Sequence, residues 1–130
     1  MLITSIPQYI QGLLNAKVAL TTANATTLFT VPTTADFNAA IVTSILVAEI
    51  SGNADTITVT VTNGGDTFIL FNVKAVGANT TVELLTRELV LQSGESIKVE
   101  AATANRLHVV ASIQDVSKTR VTTSALSTQI

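Results

Sequence analysis

Between Asp55 and Thr62 the chain alternates residue by residue: Ile57, Val59 and Val61 fall on one face, and Thr56, Thr58, Thr60 and Thr62 on the other. Successive side chains of a strand point to opposite faces, and β-branched residues on both faces favour extended backbone. The spacing predicts a strand that is apolar on one side and wet on the other. Asn63-Gly64-Gly65-Asp66 follows, where glycine supplies the positive φ of a tight hairpin turn. The return segment, Thr67-Phe68-Ile69-Leu70-Phe71-Asn72-Val73-Lys74, is apolar on both faces. That is the pattern of a central strand, or of one overlain by another layer.

The same logic extends along the chain. Lys17-Val18-Ala19-Leu20, Thr27-Leu28-Phe29-Thr30-Val31 and Ala40 to Val47 are strand candidates upstream. Thr81 to Leu84, Glu88 to Leu91, Ser96 to Ala101 and Leu107 to Ile113 follow downstream, with turn signals near Gly52, Gly64, Gly77, Gly94 and Asn105. About eight short strands with regular turns predict an all-β chain, an antiparallel β-sandwich or jelly roll, rather than alternating strands and helices. One helical pattern precedes them: Ile6, Tyr9, Ile10, Leu13 and Leu14 stand at i, i+3, i+4, i+7 and i+8, with Ser5 able to cap and Pro7 suited to a first turn. So short a helix is not stable alone and must pack on the sandwich or a neighbour. The organisation expected is an N-terminal arm or short helix over 1–16, a β-sandwich over 17–116 and a tail over 117–130.

Composition then narrows the chemistry. The 130 residues are 47% apolar, 4% aromatic and 12% charged, with no cysteine and one histidine. Absent cysteine removes thiol catalysis, disulfides and thiolate-ligated zinc. His108 sits on the polar phase of its strand, and no G-x-S-x-G elbow is present, so no catalytic residue is assigned and the chain is not expected to be an enzyme. Asn53 with Asp55 and Asn63 with Asp66 read as turn chemistry rather than a calcium loop, so neither a metal nor a cofactor is expected. Seven basic against nine acidic residues, with Arg87 and Arg106 isolated, offer no nucleic-acid patch. The four phenylalanines read mostly as core. The apolar run from Ala39 to Ile50 contains Thr43, Ser44 and Glu49 and is too short to cross a membrane, and the N-terminus has no basic region to suggest a signal peptide.

Charge is unevenly placed. Up to residue 48 only Lys17 and Asp36 are charged, and none of the last ten side chains is. A free soluble surface spreads solvating charge widely. Neutral ends are therefore read as surfaces covered by other protein, the alternative being solvation by Thr, Ser, Asn and Gln. The residues expected to meet a partner are Ile6, Tyr9, Ile10, Leu13, Leu14, Val121, Leu126 and Ile130.

The runs Ser51-Gly52-Asn53-Ala54-Asp55 and Gly77-Ala78-Asn79-Thr80-Thr81, the turn Leu91-Gln92-Ser93-Gly94-Glu95-Ser96-Ile97-Lys98-Val99 and the closing run Ala104 to Ile113 look like those of phage head-decoration and tail-associated modules. Together, the stretch from Ala39 to Val116 resembles small β-sandwich virion proteins of tailed bacteriophages. The resemblance implies a structural role on the virion, assembled in the host cytoplasm, with no catalytic residues to carry over. A capsid decoration or cement protein is expected, with itself (as a trimer) and the major capsid protein or another virion protein as partners, and neither nucleic acid nor membrane. The other readings are a tail or fibre component that binds a receptor or carbohydrate, and a ring-forming connector.

Overall fold

A computed structural model describes residues 10–33 and 38–117 of the chain. Nine strands are present among them: β1 (Ile10–Ala19), β2 (Thr26–Thr30), β3 (Asn38–Glu49), β4 (Asp55–Asn63), β5 (Asp66–Val76), β6 (Thr81–Glu83), β7 (Leu89–Gln92), β8 (Ser96–Ala101) and β9 (Leu107–Ser117). One sheet runs β1-β9-β3, with β6 and β7 sharing the outer side of β3; the other runs β2-β8-β4-β5. Every pairing is antiparallel. The chain changes sheet at each step except along the β4–β5 hairpin and between β6 and β7, which is the winding of a jelly roll. The expected all-β sandwich is what forms, and no helix among the described residues is long and apolar enough to cross a membrane.

The alternating strand became β4, held between β5 and β8, with Ile57, Val59 and Val61 buried and its threonines half-buried on the outer face. Asn63 pairs with Asp66 across a two-residue loop with Gly64 at φ +64°. In β3 the buried set changes phase, from Ala40 and Val42 to Ile45, Val47 and Glu49. A bulge at Thr43, where the register with β9 shifts between Val42 and Ser44, produces that change. Ile45, Val47, Ile57, Val59, Ile97, Val99, Leu107 and Val109 meet between the sheets in one core.

Two expectations are corrected. From Ile10 the chain is strand, not helix: β1 pairs with β9 from Ile10↔Val116 to Ala19↔His108, placing Leu13 and Leu14 on opposite faces. A ladder of that length satisfies more backbone groups than a turn or two of isolated helix could. Ile6 and Tyr9 lie outside the described residues. The second correction concerns β5, which among the described residues is neither central nor overlain by another layer. It forms the rim of its sheet, paired on one side by β4.

Candidate assembly interface

The carboxylates that penetrate the fold are occupied by its own backbone. Glu49, at the end of β3, is buried and accepts hydrogen bonds from the Ser51 amide (2.8 Å), the Gly52 amide (2.9 Å), the Asn79 amide (2.9 Å) and the Ser51 hydroxyl. It thus ties the β3–β4 loop to the β5–β6 loop. Burial alone would raise its carboxyl, but these donors outweigh it and hold the group down at about 2. Glu83, itself exposed, works similarly where the outer side of β3 lies unpaired between β6 and β7. It accepts from the Ile45 amide (2.8 Å), the Leu85 amide (3.1 Å) and the Ser44 hydroxyl, which overcome desolvation and lower its pKa. Buried Asp55 accepts from the Thr103 amide at 3.1 Å. These acids act as loop clasps. His108 is exposed on β9, beside Ala19 of β1 and Ala48 of β3. No group of three or more His, Asp or Glu side chains that could hold a metal occurs among the described residues.

The unusual surface is apolar. On β5, Phe68 is 56% exposed, Ile69 59% and Val73 60%, with Leu70 also exposed and Phe71 half-buried. Phe68 thereby departs from the reading of the phenylalanines as mostly core, whereas Phe29 and Phe71 pack against the core and Phe37 lies outside the described residues. β5 also departs twice from regular pairing. Thr60 faces Ile69 and Val59 faces Phe71, so Leu70 is an extra residue; Ile57 faces Lys74, so Asn72 and Val73 together stand against Thr58. Val73 has φ +53° and donates its amide to the Thr58 hydroxyl at 3.0 Å. A β-branched residue in the left-handed region is a conformational outlier. Here it accompanies a bulge that leaves an apolar side chain facing water. Beside this edge, Leu70 and Phe71 face Leu84, Leu85 and Leu89 across an open groove of about 300 Å³, rimmed by Thr86, Arg87 and Glu88.

The sequence-predicted interface residues fare differently. Leu13, 77% exposed, and Leu14 lie on β1, the opposite lateral edge of the sandwich. Ile10 opens β1. Ile6, Tyr9, Val121, Leu126 and Ile130 fall outside the described residues. The β5 edge was missed as an interface, although its two apolar faces were the signal.

Neither a protein-family model nor a curated relative matches the sequence. Among solved structures, the fold is similar to a pentameric capsid protein isolated from metagenomic phage sequences. Identity is 18% and the TM-score 0.45, over 81% of this chain and 62% of that one, so the chain spans less than two thirds of that protein. It is similar to a cyanophage capsid structure at 16% identity and a TM-score of 0.43, over 89% of this chain and 91% of that one. It is similar also to the disulfide-linked pili of Bacillus endospore appendages, at 11% identity and a TM-score of 0.48, over 92% and 100% respectively. Linkage by disulfides is closed to this chain, which has no cysteine.

Proposed function

We propose that this chain is a non-enzymatic structural subunit of a phage particle, a capsid decoration or cement protein that self-associates as a trimer and adheres to neighbouring capsid subunits. The observation that carries the reading is the β5 edge: a long rim strand with Phe68, Ile69, Leu70 and Val73 exposed and charge only at Asp66 and Lys74. An apolar rim of this kind is a site for another protein, since free edges are normally blunted by charge or proline. Glu49, Glu83 and Asp55 are engaged with backbone, which supports a structural rather than a chemical role for these three acids. The resemblance of residues 39–116 to tailed-phage virion sandwiches supports the particle, and the uncharged residues 1–9 before β1 and 121–130 at the other end support an arm and tail lying across neighbours. Adhesion then accumulates at roughly 25 cal/mol per Å² of apolar surface covered.

The test is binding of purified chain to phage particles assembled without it. The full chain should saturate the particles. A chain lacking residues 1–9, which leaves β1 intact, should bind more weakly. Unchanged occupancy would sink the arm model, and no binding by the full chain would sink the decoration reading.

A further inference from the structure

The β5 edge is self-complementary in a way that its residue numbers conceal. Measured against β4, Asp66 faces Asn63, Ile69 faces Thr60 and Lys74 faces Ile57. Asn63, Thr60 and Ile57 are evenly spaced, so the two bulges make Asp66 and Lys74 equidistant from Ile69 along the ladder. Each lies about 10 Å away at the rise of an antiparallel strand. They carry opposite charge and are the strand's only charged residues. The apolar side chains Phe68, Ile69, Leu70 and Val73 lie between them, exposed to solvent.

We propose that a second copy of this chain occupies this edge, the two β5 strands lying antiparallel about a two-fold axis at Ile69. Counted in ladder steps, that placement sets Asp66 of each copy across from Lys74 of the other, twice by symmetry. Phe68 of each copy comes across from the bulged Leu70 and Phe71, and the two Ile69 side chains meet on the axis. Both members of each pair project to the same face of the joined sheet, because each bulge consumes one step on both strands. An isologous contact needs one patch to complement itself, and opposite charges symmetrically disposed about an apolar centre do so. The joined edges also lose their exposed apolar rim. If the chain forms trimers as read above, such pairs would join trimers into a net. That consequence alone rests on the decoration reading.

The absence of cysteine makes the test direct, since a single introduced thiol can only crosslink two copies. Full-length Ile69→Cys should form disulfide dimers under mild oxidation faster than Ile50→Cys, whose position between β3 and β4 is similarly exposed but off the proposed axis. Asp66→Lys should weaken self-association in sedimentation by about tenfold, and adding Lys74→Asp in the same chain should recover it. Crosslinking of Ile69→Cys no faster than of Ile50→Cys would overturn the pairing, as would a double charge reversal as weak as the single one. Thermal melts that match the wild type establish that each variant is folded. The measurement uses purified chain without particles, so its failure leaves the decoration reading to its own binding assay.

Discussion

Val73 offers the sharpest check on the energetics of the β5 bulge. Its φ of +53° places an L-residue in the left-handed region, which costs roughly 1–2 kcal/mol, and β-branching makes relief of that strain more valuable. Asparagine tolerates the region and keeps the backbone amide, so the hydrogen bond to the Thr58 hydroxyl survives in Val73→Asn. The substitution loses little hydrophobic burial, because Val73 is 60% exposed. Covering the remainder of a valine contributes about 0.6 kcal/mol. The net effect expected is a stabilisation of about 1 kcal/mol, or a Tm rise of about 4 °C for a chain of this size. Val73→Gly relieves the same strain but loosens the unfolded chain by about 0.5–1 kcal/mol, so it should be near neutral. Urea unfolding supplies the comparison, at protein concentrations low enough that self-association does not add to stability. An order of Asn above Gly and Gly near Val supports the strain. Asparagine less stable than wild type, with Thr58 intact, would refute it.

The remaining predictions address the clasps, the core and a turn. Because the Glu49 carboxyl is held at about 2 against an ordinary 4.5, its contribution to stability is complete above the ordinary value and drains as pH falls towards 2. Glu83, also lowered, acts in the same direction. Urea midpoints between about pH 6 and about pH 3 should therefore fall for the wild type, and fall less for Glu49→Gln; equal slopes would contradict the clasp. Ile45→Ala, at a fully buried core position, should cost about 2–5 kcal/mol in chemical denaturation, whereas Ile50→Ala, half exposed, should cost under about 1 kcal/mol. Gly94→Ala should cost about 1–2 kcal/mol, since the glycine sits at φ +85° and a Cβ would press on the Thr33 methyl at 3.4 Å. Gly65→Ala, with open space around it, should change stability by less than about 0.5 kcal/mol.

Strict alternation made β4 readable, because a strand that keeps its register shows its faces in every second residue. The turn glycines were readable for a related reason: Gly52, Gly64 and Gly94 all have positive φ, which side chains resist. Bulges defeat the same reasoning. Thr43 shifts the phase of β3, so Glu49, which simple alternation from Ala40 would place outside, becomes buried and clasps two loops. In β5 two bulges lie within one strand, and an apolar residue on each face was read as centrality. The helical spacing from Ile6 to Leu14 was real as a pattern, but from Ile10 onwards it yielded to pairing with β9, which a local reading does not contain. The histidine's outward phase was legible because β9 keeps its alternation around it, with Leu107 and Val109 buried on either side.

The rim strand is anchored at one end of the sandwich. At that end the loops are braced to one another: Glu49 joins β3–β4 to β5–β6, and the Arg106 guanidinium donates to the Ala54 carbonyl at 3.0 Å. The Asn105 amide reaches the Leu20 carbonyl at 2.8 Å. β5 ends there at Val76, which is fully buried, and is held by that brace. From Val76 back to Asp66 the strand runs along the rim with little but β4 beside it. A rim meant for water would carry lysines, prolines or inward charges along its length. This one carries its charges only near its ends and is mostly apolar between them, which is the pattern the proposed pairing of two copies would cover. The scarcity of charge in the chain is thus local in its effect: it is missing where solvent exposure would require it and present where a loop must be fixed.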